Sequence, residues 1–344
     1  MRAVTFQAAG VVSVEERPEP QIIDPGDAVV RIRATGVCGS DLHIFHGRVQ
    51  IEPGFTIGHE YVGTVLAVGD AVRRVAVGDR VLGCFQTACG ECFFCRRGLY
   101  HRCLHSRTFG HGATLGSLQG TQADMALVPS ADLVLRAVPD GMSNDVALFA
   151  GDVMGTGFHA VNSSGMAPGD VVAVMGLGPV GLCAVQVARA TGAAHVFAID
   201  TVPERLAVAE AFGAEPLHLG EQDVRAAVRT ATEGRGVDVS IDAVGDPKVL
   251  ESAIRLTRAC GSIQCVGVYA ERAEVHLGLM WLKSQTWRGG QANVIGHVDR
   301  VLAMLSAGVL DPSPLVTRHM KLDEAPEAYA AYDRREALKI VLEP

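Results

Sequence analysis

Four stretches of the chain concentrate side chains that could do chemistry. Cys38, Ser40, Asp41, His43 and His46 crowd into GVCGSDLHIFHG (36–47), and His59 and Glu60 lie between glycines in GHEYVG (58–63). A thiolate and an imidazole of this kind can hold a catalytic zinc, which takes three protein ligands and keeps one position open. Spacing alone does not name the third ligand. In CFQTACGECFFCRRGLYHRC (84–103), Cys89, Cys92, Cys95 and Cys103 are separated by two, two and seven residues. Three thiolates so spaced can line one tetrahedral hole and a fourth can close it, as in a structural zinc site. A redox pair and an iron–sulfur cluster also use tight cysteine runs. The detached fourth cysteine and the polar, loop-like surroundings favour zinc. The remaining cysteines, Cys84, Cys183, Cys260 and Cys265, are expected to be buried packing residues.

The fourth stretch is GLGPVG, with Gly176, Gly178, Pro179, Val180 and Gly181. In a chain with 39 glycines such a motif is weak by itself. Its setting makes it specific. Val171 to Met175 reads as a buried parallel strand, Val180 to Ala190 as an apolar helix, and His195 to Ile199 as a second strand closed by Asp200. Glycines let the backbone approach a pyrophosphate at a helix N-terminus, and Asp200 can accept from a ribose 2′-OH. A carboxylate there repels a 2′-phosphate, so NAD is favoured over NADP.

The elements that must position these groups fall into two kinds. Residues 1–35, 61–68 and 79–83 alternate apolar and polar positions between prolines and glycines, the pattern of antiparallel strands. Beyond a helical stretch from Asp145 to about Asn162, strands and helices alternate: helix 203–213, strand 237–245, helix 247–261, strand 262–269. That alternation predicts a doubly wound parallel sheet. Helices at 297–307 and 323–332 follow, and LKIVLEP (338–344) reads as a strand returning to the first domain. A chain of 344 residues exceeds one comfortable core, so two domains are expected. The fold class is α/β, with a β-rich catalytic domain at 1–153 and 292–344, including the cysteine lobe at about 84–104, and a nucleotide domain at 154–291.

Composition narrows the partners. Apolar residues make up 48% and charged residues 20%, and the net charge is −8 without a basic run, which argues against nucleic acid. The N-terminus lacks a secretory signal core, and the apolar run from Val171 to Val185 is too short and glycine-broken to span a membrane. A cytoplasmic protein without a membrane partner is expected, its cysteines serving metals rather than disulfides.

With these motifs in order, the chain resembles the zinc-dependent medium-chain alcohol dehydrogenases over essentially its whole length. The carriers are GVCGSDLHI, GHE, the four-cysteine lobe, GDVMGTGFHA (151–160) and GLGPVG with Asp200. The resemblance implies a GroES-like catalytic domain and a Rossmann domain, NAD, and two zinc ions per subunit. Cys38, His59 and Asp152 match catalytic zinc ligands; Asp152 stands where many relatives have Cys, which makes the site harder. Glu60 matches a carboxylate behind the zinc that can enter its coordination shell, and Asp41 matches the acid orienting His59. Ser40 and His43 match a proton relay, and Thr156 matches a residue supporting the nicotinamide. Val266, Gly267 and Val268 match a strand end facing its carboxamide, and Arg205 a basic residue near the adenosine ribose. The implied reaction is oxidation of primary or secondary alcohols to aldehydes or ketones, and the reverse, in a homo-oligomer, tetramer before dimer. Phe85 matches a substrate-pocket position. Polyol, threonine or formaldehyde dehydrogenases of the same superfamily are the alternative, and a non-catalytic NAD-binding sensor is the alternative from another class.

Overall fold

The computed structural model describes all 344 residues, and the chain forms two compact units. One comprises Met1–Gly155, Asn293–Gly308 and Pro312–Pro344; the other comprises Thr156–Ala292 and Val309–Asp311.

The first unit is built on two sheets. A three-stranded sheet pairs Val11–Glu16, Arg2–Ala8 and Phe55–Thr56 in that order. A seven-stranded sheet centres on Ala28–Val37, whose residues are nearly all buried. That strand pairs antiparallel with Tyr61–Val68 on one side and with the terminal strand Lys339–Glu343 on the other. The expected return of the C-terminus to the first domain is therefore observed. Phe6, Ile44, Phe45, Ile57, Tyr329 and Ile340 form the core between these elements.

The second unit is a six-stranded parallel sheet. Numbered along the chain, its strands stand in the order three, two, one, four, five, six, the doubly wound arrangement whose ligands bind where the order reverses. The first of them, Val171–Met175, lies at that reversal and runs into the glycine motif. Strand alternation continues through Glu215–His218 and Thr286–Gly289, which the sequence pattern did not reveal. The first of these contains Pro216 and the second is exposed throughout, so neither carries a buried-strand signature.

Three local expectations need correction. The helix predicted over 247–261 ends at Leu256, where Thr257 turns extended and its Oγ1 donates to the Ala253 carbonyl at 2.7 Å. The next strand is Thr257–Cys265, so Val266, Gly267 and Val268 lie beyond it. Cys260 is exposed rather than packed; it takes φ +55° within that strand and its N–H bonds Lys283 instead of a core neighbour. Finally, the helical stretch from Asp145 is two helices, Asn144–Ala150 and Val153–Ser164. The break leaves Gly151 against the Gly83 carbonyl, an approach that a Cβ would prevent, and sets Asp152 between the two.

Candidate metal and nucleotide sites

Cys38 precedes the helix Gly39–Phe45, and Asp41 in its first turn accepts the Cys38 N–H at 2.9 Å. The other Asp41 oxygen lies 3.2 Å from Nδ1 of His59. One fully buried carboxylate thus accepts from the backbone of Cys38 and makes a charge contact with the ring of His59. With Nδ1 engaged, Nε2 of His59 points to Asp152 Oδ2 at 3.1 Å, and Cys38 Sγ lies 3.8 Å from the same oxygen. Ser40 Oγ is 3.2 Å from His59 Nε2. The structure therefore brings Cys38, Ser40, His59 and Asp152 together from three distant points of the chain. Glu60 joins them, since Cys38, His59, Glu60 and Asp152 offer ligand atoms all within 4.8 Å of one another.

Electrostatics at this spot favour a cation. Burial, and then the charges of Glu60 and Asp152, push the Cys38 thiol up. Burial opposes a charge on His59, but Asp41, Asp152 and Cys38 outweigh it and hold the imidazole well above its ordinary value. Burial works against Asp41 too, yet the His59 charge and the bonds from His59 and Cys38 keep its carboxyl below the usual range. Tetrahedral zinc at ligand distances of about 2.0–2.3 Å needs ligand atoms about 3.3–3.8 Å apart. The 3.1 and 3.8 Å separations here are close to those edges, so sulfur, imidazole and carboxylate fit the ion.

The cysteine lobe passes the same test. Cys89 and Cys92 Sγ lie 3.9 and 3.5 Å from Cys95 Sγ, far beyond a disulfide and near the edges of a thiolate tetrahedron. Backbone N–H groups of Cys89 and His105 donate to Cys103 Sγ at 3.2 and 3.3 Å, as they would to a thiolate. Backbone donors from Cys95 and Leu104 also push the Cys92 thiol down to about 6.

Two residues of the first cluster were missed from sequence. His111 stacks edge-on against His59 at 5.1 Å, its Nδ1 2.8 Å from the Phe109 carbonyl. Lys339 ion-pairs with Glu60, both side chains fully buried. FGHG and EALKI carry no spacing that would flag either. Phe85 stands 6.4 Å from the His59 ring. His43 is on the helix of Ser40, one turn on, and half-buried; burial, then Arg48 and His46, push it down from 6.5.

In the second unit Gly176 takes φ +86°, and a Cβ on Gly181 would strike the Gly176 carbonyl. Gly178 precedes the helix Pro179–Ala190, with Pro179 in its first turn and Val180 following. Asp200 is buried at the end of His195–Asp200. Its Oδ2 accepts Leu177 N–H at 2.6 Å and its Oδ1 accepts Thr201 and Val202 N–H at 2.7 and 3.0 Å. Arg205 Nη1 is 3.7 Å from Asp200. Val266 and Gly267 donate to the Asp242 carbonyl at 2.9 and 3.1 Å, while Val268 is exposed. Thr156 is half-buried in Val153–Ser164.

A doubly wound sheet in one unit and a sulfur–imidazole–carboxylate cluster in the other describe a zinc-binding dehydrogenase. Family models agree: the alcohol dehydrogenase GroES-like domain matches residues 24–140 and the zinc-binding dehydrogenase domain residues 179–307. The zinc-type alcohol dehydrogenase B of Aspergillus flavus is 34% identical over 349 residues, spanning 99% of this chain and 81% of that protein. The solved alcohol dehydrogenase TADH from Thermus sp. ATN1 is 41% identical with a TM-score of 0.97, covering 100% of this chain and 99% of that one. An Escherichia coli CFT073 alcohol dehydrogenase complexed with NADH is 25% identical with a TM-score of 0.89, covering 100% and 99%. The chain belongs to the zinc-dependent medium-chain alcohol dehydrogenases, and its activity is oxidoreduction of the alcohol dehydrogenase type.

Proposed function

We propose that the chain oxidises primary or secondary alcohols to aldehydes or ketones, and runs the reverse reduction, with NAD and two zinc ions per subunit. The carrying observation is the meeting of Cys38 Sγ, His59 Nε2 and Asp152 Oδ2, with Cys38 and Asp152 114 positions apart. A zinc ion held there supplies Lewis acidity that eases loss of the alcohol proton, and nicotinamide supplies the hydride acceptor. Asp41 fixes His59 so that Nε2 is free to ligate. Ser40, with its hydroxyl beside that nitrogen, takes the substrate proton, and His43, neutral at pH 7, passes it to solvent. Cys89, Cys92, Cys95 and Cys103 hold the second zinc and pin their lobe.

Solved relatives are bound to NADP in one case and NADH in another, so the choice falls to this chain's own residues. Asp200, oriented by three backbone donors, has oxygen lone pairs left for ribose hydroxyls and repels a 2′-phosphate. Arg205, 3.7 Å from that carboxylate, serves the same ribose edge. The turn from Gly176 to Gly181 cradles the pyrophosphate, and Thr156 with Val266, Gly267 and Val268 supports the nicotinamide. We also favour a cytoplasmic homo-oligomer, a tetramer. No helix is long and apolar enough to cross a membrane. The edge strand Thr286–Gly289 is exposed throughout, and Leu277, Trp281 and Leu282 stand exposed just before it; such edges are usually covered.

Absorbance at 340 nm with a panel of alcohols and polyols, with NAD and NADP, before and after a chelator, tests the reading. Chelator-sensitive turnover of simple alcohols supports it. Preference for polyols moves the assignment to the polyol enzymes, and silence on every substrate with zinc loaded favours a sensor.

A further inference from the structure

We propose that Tyr269 positions the nicotinamide by tying the segment Val266–Val268 to the buried Asp242, and so sets how tightly the chain holds the reactive ring of its cofactor. The inference rests on the reading that this segment supports the nicotinamide. Asp242 ends the strand Val237–Asp242, which lies beside Val171–Met175 where the strand order reverses. Ligands of doubly wound sheets bind there, beyond the carboxyl ends of the strands. The Asp242 side chain is fully buried, and a buried carboxylate is tolerated only when it is hydrogen-bonded. Its donors come from the two loops that leave the sheet at this point. Oδ1 accepts the N–H groups of Val244 and Gly245 at 2.8 and 3.0 Å, and Oδ2 accepts the Tyr269 hydroxyl. The Asp242 carbonyl takes the N–H groups of Val266 and Gly267 at 2.9 and 3.1 Å. One residue therefore holds the stretch from Val266 to Tyr269 at both ends.

The two loops also pack back to back. A Cβ on Gly267 would strike the Gly245 nitrogen, and a Cβ on Gly245, at φ +82°, would strike the Val268 carbonyl. What this clamp presents is Val268. The residue is exposed, and neither its N–H nor its carbonyl is hydrogen-bonded within the chain. A carboxamide carries two donors and one acceptor, so it can use both groups. Burial, and then the bond to Asp242, push the Tyr269 hydroxyl far above its ordinary value, so it stays a donor. Without that hydroxyl, Asp242 Oδ2 is left as a buried acceptor with no donor, and the Val268 peptide is held only from the Val266 side. A looser peptide costs more to order when the ring binds. Tyr269 is thus a positioning residue that acts through Asp242 and Val268.

Calorimetry on zinc-loaded protein tests this by comparing NADH with ADP-ribose, which has every part of the cofactor except the nicotinamide. In Tyr269→Phe the dissociation constant for NADH rises roughly 3- to 10-fold, the worth of one typical hydrogen bond, while ADP-ribose binds as it does to the parent. A Tyr269→Phe protein that binds both ligands like the parent overturns the proposal. So does one that loses both equally, because that marks a general loss of the fold. Val268→Pro removes the presented N–H and tests the underlying reading separately, with Tyr269 intact. It weakens NADH and spares ADP-ribose if the segment meets the nicotinamide. Unchanged NADH binding in Val268→Pro means that reading has failed. Weakened NADH binding in Val268→Pro with none in Tyr269→Phe means that only the anchoring role has failed.

Discussion

Asp41→Asn keeps the shape of a fully buried side chain and removes its charge. One Asp41 oxygen receives two donors, the Cys38 N–H at 2.9 Å and the Gln122 amide at 3.3 Å. An asparagine must therefore place its own oxygen there, which turns its NH2 toward His59 Nδ1, 3.2 Å from the other position. Nδ1 must then accept, the ring proton moves to Nε2, and the nitrogen beside Asp152 loses the lone pair a metal requires. The opposite orientation sets the amide NH2 against two buried donors, costing about 1–3 kcal/mol. Either way zinc affinity should fall about 10- to 100-fold, roughly 1.4–2.7 kcal/mol at 1.36 kcal/mol per decade. Zinc release to a chromogenic chelator measures it, with thermal melting as a check that the fold persists. Release within twofold of the parent at unchanged turnover refutes the claim that Asp41 sets the His59 tautomer.

Asp200→Gly should lower the ratio of kcat/KM for NAD over NADP by roughly tenfold, the worth of one lost charge-assisted hydrogen bond; an unchanged ratio means another residue sets the preference. His43 titrates below 6.5, so kcat/KM should fall as pH drops through that lower value, because a protonated imidazole cannot accept the relayed proton. In His43→Asn that acid limb should disappear along with part of the rate, and a limb that persists assigns the titration elsewhere. Cys103→Ser should empty the cysteine lobe of zinc while the other cluster keeps its ion. The melting temperature should fall by roughly 2–8 °C, the scale of ~1–2 kcal/mol in a domain of this size, and full metal content in the variant would show that the lobe does not need its fourth thiolate.

The glycine motif could be read directly because its chemistry is local. A left-handed Gly176, a close approach of Gly181 to Gly176 and a helix start at Pro179 all fall within one turn of chain. The cysteine lobe was legible for the same reason, three of its four thiols lying within seven residues. The doubly wound sheet followed from strand and helix periods, except where Pro216 or full exposure erased the strand signature. Cys260 failed because an apolar neighbourhood in sequence does not say which way a side chain turns at φ +55°.

The sequence by itself therefore determined the two units' architectures, the nucleotide turn and the donor types available for metal. Only the tertiary structure decided how Asp41 bridges Cys38 and His59, that His111 stacks on that ring, and that a lysine 279 positions away neutralises Glu60. Those contacts depend on which distant strands pair and in what register, and neither residue type nor spacing along the chain carries that information.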